Sequence, residues 1–166
     1  MDKDAFYNEI DIEKYSADIK SCDQVFVYGT LKTGGEIRGM NTMGLNVVPK
    51  GKAKTSYPDY EMLDLGAFPG LLKGDSYIFG EVWQLDEQAL FTLDGIEGFD
   101  RDEEDVDWRL PVFGNAYQHS FYSRTIIETS QGKAWVYFLG EKEYGKYRGL
   151  ESDNIEKKEN TLTWHN

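Results

Sequence analysis

The sequence predicts an α+β fold built around a compact sheet or small barrel. Short apolar runs rich in β-branched and aromatic residues recur from Val25 onward. Gly and Pro punctuate the gaps between them. One segment after Asp86 carries both a helix start and a helical apolar face. The chain has 166 residues, a length that suits one domain, and 40% of them are apolar, enough for a real core.

Taken in order, residues 3–20 are polar, with Phe6, Ile10, Tyr15 and Ile19 spaced by four or five, the pattern of a short amphipathic helix. Residues 1–24 read as a helical N-terminal extension and 25–166 as the domain proper. "VFVY" is the first strand. "KGKAKTSYPDYEMLDL" holds two more, broken near Pro58, and "AFPGLLKGD" has turn chemistry at Pro69-Gly70 and Gly74-Asp75. "SYIFGEVWQL" is a strong strand in which Gly80 marks a bulge or a close backbone approach. Asp86 caps the helix that follows, Glu87 suits its positive end, and Leu85 and Leu90 form a hydrophobic staple across the cap. "FYSRTIIETS" and "KAWVYFLG" predict two strands joined as a hairpin at Gln131-Gly132, and "TLTWHN" a short edge strand.

Composition excludes several classes of function. Thirty acidic residues against eighteen basic ones give a net charge of −12, which repels phosphate backbones and anionic membrane leaflets. No window reaches the length of a membrane span, and "MDKDAFYNEIDIEK" has no signal-peptide core. The expectation is a cytoplasmic protein that binds neither nucleic acid nor membrane. Its single cysteine, Cys22, excludes a disulfide framework and reads as a packing residue. Residues 100–107 hold six acids in eight and predict a solvated loop, part of an acidic insertion near 100–118.

Familiar chemical motifs fail. "GTLKTGG" has the glycine spacing of a phosphate loop, but Gly35 and Glu36 stand where Lys and Ser or Thr would neutralise phosphate and hold magnesium. There is no GxGxxG after the strand and no GxSxG elbow. His119 and His165 lack ligand spacing, and the acidic run lacks the glycine of an EF-hand, so neither metal nor cofactor is expected.

The informative residue is Glu97. Leu90, Leu93 and position 97 fall at i, i+3 and i+7 of the predicted helix, a face that two leucines assign to the core. A carboxylate there is either solvated because Gly95 has ended the helix, or held inside, where desolvation raises its pKa toward the range useful for proton transfer. Tyr122 and Arg124 lie on one side of their strand and could hold a carboxylate, or blunt a sheet edge. Glu81, between Gly80 and Val82, reads as a structural ion pair.

These segments also resemble, in order, the γ-glutamylcyclotransferase-like proteins, a group that includes γ-glutamylamine cyclotransferases and AIG2-like proteins. "VFVYGTLK" resembles that family's opening strand and turn. "AFPGLLKGD" resembles its Gly-Tyr-Pro-like turn, "YIFGEVWQL" its G-E-V-Y strand, "LDGIEG" its L-D-x-x-E motif and "YSRTIIE" its Y-x-R strand. The resemblance covers residues 25–139 and implies a small mixed β-barrel flanked by helices. It implies cyclisation of a γ-glutamyl amide to 5-oxoproline with release of an amine or amino acid, without metal or cofactor. Glu97 would be the proton carrier; Tyr28, Gly29, Thr30 and Leu31 would bind the glutamyl group, with Tyr122 near the pocket. A non-catalytic binding or regulatory module on the same fold, and an amide hydrolase that activates water, are the alternatives. The acidic insertion would favour a cationic leaving group.

Overall fold

The computed structural model describes residues 9–29, 46–65, 69–97, 122–139 and 153–165. Thr30, Leu31 and the acidic stretch 100–118 lie outside these. The described elements are α1 (Glu9–Ser21), β1 (Gln24–Val27), β2 (Val47–Lys54), β3 (Tyr60–Asp64), β4 (Pro69–Lys73), β5 (Tyr77–Leu85), α2 (Glu87–Glu97), β6 (Tyr122–Thr129), β7 (Gly132–Leu139), β8 (Ile155–Lys158) and β9 (Thr161–Trp164). The class is α+β, as predicted.

Among the described residues, β6, β7, β1, β5, β9 and β8 run in that order through one mixed sheet, with β2 also pairing β5. β1 is an interior strand, antiparallel to β5 (Val25 opposite Trp83) and parallel to β7 (Val25 opposite Trp135). A bridge between Thr55 and Thr129 carries the end of β2 to β6, so the sheet curls back on itself there. β3 and β4 form a separate antiparallel ribbon.

Both faces of the central strands are buried. Val25, Val27, Trp135, Tyr137 and Leu139 pack on the helix side with Leu90 and Leu93, while Phe26, Tyr28, Val136 and Phe138 pack on the other with Val82 and Ile78. Period-two alternation therefore sorts residues between two cores rather than between core and water. Gly80 is a close approach: a Cβ there would lie 2.4 Å from the Val27 carbonyl oxygen.

The helix after Asp86 forms as its cap requires. The Ala89 amide donates to Asp86 Oδ1 at 2.9 Å, and the Leu90 amide to the Asp86 carbonyl at 3.0 Å. Leu85 and Leu90 are both buried in the same cluster. The hairpin at Gln131-Gly132 also forms, with Gly132 at φ 93°.

Three elements differ from the sequence reading. Pro69–Lys73 is a buried strand rather than a turn. Its Pro occupies the first position, where a missing amide costs the ladder least, and Leu71 and Leu72 supply the burial. β9 is interior to the sheet, because β8 covers it. β8 itself, "IEKK", is mostly exposed and carries no apolar alternation.

Candidate active site

The site lies where the end of β1 meets the last turn of α2. The periodicity that makes α2 amphipathic also sets Asp94 and Glu97 on its inner side, since 90, 93, 94 and 97 form one stripe. Leu90 and Leu93 are fully buried and anchor that stripe.

Asp94 is buried and accepts four hydrogen bonds from described residues. Arg124 grips it with two parallel bonds, Nε to Oδ1 at 2.8 Å and Nη2 to Oδ2 at 3.0 Å. The Tyr137 hydroxyl donates to Oδ1 at 2.6 Å and the Tyr15 hydroxyl to Oδ2 at 2.5 Å. Arg124 Nη2 also donates to Asp18 on α1 at 2.8 Å. The guanidinium stacks 4.4 Å over the Trp135 ring. Burial alone would ease its proton off, but the Asp94 and Asp18 charges more than offset this and push its pKa up. A bidentate, stacked geometry of this kind is specific to arginine.

Glu97 is partly buried, and its carboxyl pKa is raised to about 7. Burial is the larger cause and the neighbouring Asp94 charge the second. The helix runs on through Gly95 to Glu97, so the reading in which Gly95 frees this side chain into solvent does not hold. A group that titrates near neutrality can accept a proton and return it at the same pH.

Tyr28 follows β1 and is buried; its hydroxyl donates to the Tyr137 carbonyl at 2.6 Å. Burial, then the Glu97 charge, keep its phenol well above its usual range. Tyr137 is raised for the same first reason, with Asp94 next and Glu97 among the smaller causes. Tyr28, Tyr137, Asp94 and Glu97 thus share one electrostatic neighbourhood. Gly29 packs on the start of β4: a Cβ there would meet the Pro69 ring at 2.8 Å. The residue beside the turn must therefore be small. β4 closes over this end of β1, and a Cβ at Gly70 would approach Leu65 at 3.1 Å and Leu139 at 3.4 Å.

Of the predicted site residues, Tyr28 and Glu97 share an electrostatic contact and Arg124 holds Asp94, one turn before Glu97; Gly29 follows Tyr28 and packs on Pro69. Thr30 and Leu31 lie outside the described residues. Tyr122 opens β6 opposite Leu139, two residues before Arg124. Arg124 does hold carboxylates, and the ones it holds belong to the chain itself. Glu81 is partly buried and accepts from its neighbour's indole, Trp83 Nε1, at 3.5 Å. Sequence reasoning missed the part played by Asp94, Tyr137, Tyr15 and Asp18. Asp94 had the same signal as Glu97, an acid on the stripe of Leu90 and Leu93. Among the described residues, no group of three His, Cys, Asp or Glu side chains stands close enough to hold a metal ion. No described helix is long and apolar enough to cross a membrane.

Comparison with known proteins places the fold and the family. A Vibrio cholerae protein that carries the gamma-glutamylcyclotransferase name provisionally is 36% identical over 117 residues, covering 70% of this chain and 82% of its own. The gamma-glutamylcyclotransferase family protein YtfP of Escherichia coli is 28% identical over 115 residues, covering 69% of this chain and 80% of its own. Among solved structures, an AIG2-like protein from Mus musculus superposes with a TM-score of 0.50 at 22% identity, over 72% of this chain and 78% of that one. The family described as gamma-glutamyl cyclotransferase, AIG2-like, matches residues 25–159, and the chain belongs to it.

Proposed function

We propose that the protein is a γ-glutamyl cyclotransferase-type enzyme that closes a γ-glutamyl amide to 5-oxoproline and releases an amine or amino acid. The observation that carries this reading is Glu97, an acid held on the core side of α2 with a pKa raised to about 7. Cyclisation needs one group to take a proton and later give it back. The Glu97 carboxylate removes a proton from the substrate ammonium. The freed amine attacks the γ-carbonyl carbon and forms the ring C–N bond. The resulting acid then protonates the leaving nitrogen as the amide C–N bond breaks, and the regenerated Glu97 carboxylate takes the second proton from the ring nitrogen and passes it to the departing amine, which leaves as an ammonium. The substrate supplies its own nucleophile, so the protein's remaining task is to hold the folded pose.

Tyr28 and the backbone amides of Gly29, Thr30 and Leu31 bind the glutamyl group, with donors available for the developing oxyanion. Tyr122 is assigned to the same glutamyl-binding role on the family resemblance of its strand. Arg124 acts at one remove, by fixing Asp94 one turn before Glu97.

The test is mass spectrometry on a panel of γ-glutamyl amino acids and amines. Wild type should form 5-oxoproline from at least one of them, and Glu97→Gln should be slower by ~10²-fold or more. Free glutamate as the product would identify a hydrolase, and binding without turnover a ligand-binding module. Either result, or a Glu97→Gln variant as active as wild type, removes the proposal.

A further inference from the structure

α1 precedes the residues 25–159 that match the family, yet it reaches into the site. Tyr15 and Asp18 stand three apart on one helical face, and both are buried. Burying a hydroxyl and an acid is costly unless each is bonded to something. Tyr15 donates to Asp94, and Asp18 accepts from Arg124. The Tyr15 ring also meets Phe91 of α2 edge-on at 5.5 Å. Arg124 brings one positive charge against the two carboxylates of Asp94 and Asp18, so this trio carries one excess negative charge, and Asp18 supplies it.

We propose that α1 is a positioning element for Glu97: Tyr15 and Asp18 hold the Asp94–Arg124 pair, and through it the last turn of α2, in the arrangement that presents the Glu97 carboxyl to substrate. This rests on the reading of Glu97 as the proton carrier. The charge that bears on Glu97 is that of Asp94 on α2. The Glu97 charge in turn bears on Tyr28 after β1 and Tyr137 on β7, both held as neutral phenols. Arg124 on β6 and Asp18 on α1 stand behind Asp94. Neutralising Asp18 leaves Arg124 less compensated and removes a negative charge behind Asp94. Loosening the last turn of α2 lets water reach Glu97. Both changes favour the Glu97 carboxylate, so both lower its titration midpoint.

The experiment uses the full chain as Asp18→Asn and as Tyr15→Phe, which keeps the ring and removes only the hydroxyl. Two readouts are taken: carbon NMR titration of the Glu97 carboxyl, assigned by its loss in Glu97→Gln, and kcat and KM for 5-oxoproline formation. Asp18→Asn should lower the Glu97 midpoint by roughly half a pH unit or more. It should lower kcat roughly tenfold while KM stays within about twofold. Tyr15→Phe should lower kcat in the same pattern and shift the midpoint. If Asp18→Asn does not fold, Tyr15→Phe decides by the same two readouts. Unchanged midpoints in folded variants overturn the proposal, as does a kcat equal to wild type. The titration needs no turnover. If wild type forms no 5-oxoproline, the enzyme reading falls, and the midpoints alone still decide whether α1 sets the environment of Glu97.

Discussion

An acid that must first be a base is useful only when the solvent leaves it deprotonated in the free enzyme. With Glu97 at about 7, kcat/KM should rise with pH through that value, because only the carboxylate can take the ammonium proton. A rising limb centred near 4.5, the ordinary glutamate value, would show that burial does not act on this group during turnover. Asp94 has a different task. It is the acceptor for Arg124, Tyr15 and Tyr137 together, so Asp94→Asn leaves a buried guanidinium with half of its carboxylate support. Breaking a buried pair from one side costs about 3–5 kcal/mol, and urea unfolding should show a loss of that order. A loss under ~1 kcal/mol would mean that the network is not holding α2. At the scale of single residues, the sequence singles out Glu97 because an acid interrupts the stripe of Leu90 and Leu93, and Arg124 because it shares a strand face with Tyr122; the carboxylates that Arg124 holds are the chain's own Asp94 and Asp18. The cage around them is not legible: apolar spacing marks Tyr15 as a packing position without revealing that its hydroxyl meets Asp94, and Asp18 has no visible partner until Arg124 on β6 is in place.

Elements were legible where one local rule sufficed. β1, β5, β6 and β7 announced themselves by apolar and β-branched content, and α2 by its cap. The cases that failed needed a partner to be known. Pro69-Gly70 has turn chemistry in isolation and becomes a strand only because β3 pairs with it from Asp64 back to Tyr60. β8 takes its order from β9 across Ile155 to Lys158, with side chains that mostly face water. Gly80 is the reverse case, a position read correctly from a single residue. Its missing Cβ is what permits the close pairing of β5 with β1: a methyl there would lie 2.4 Å from the Val27 carbonyl oxygen and 2.9 Å from the Phe26 ring. Neither neighbour can move without shifting β1, so Gly80→Ala should cost about 1–3 kcal/mol in chemical denaturation. It should also raise KM, because β1 leads directly into Tyr28 and Gly29. An Ala variant as stable as wild type would show that β1 gives way freely, contrary to the two-sided packing of Val25 to Tyr28.

For the molecule as a whole, holding an acid at about 7 is a stability statement. Unfolded, Glu97 titrates near its ordinary value of 4.5; folded, it holds its proton to about 7. The folded state binds that proton more tightly, so the group leaves stability untouched below 4.5. It weakens the fold progressively as pH rises to 7, and the penalty is complete above that. At 1.36 kcal/mol per unit, the ceiling is about 3 kcal/mol. Glu97→Gln has no such proton to lose. Urea unfolding should therefore find the variant more stable than wild type at pH 8, by up to ~3 kcal/mol, with the gap closing toward pH 4.5. The net charge of −12 strains the fold further as carboxylates ionise, but wild type and variant share all of it except one charge, so it largely cancels in their difference. A gap of the same size at both pH values would place its origin in packing rather than ionisation. A gap that opens with pH, in a variant that also stops forming 5-oxoproline, would show that the carboxylate that destabilises the fold is the same one the reaction requires.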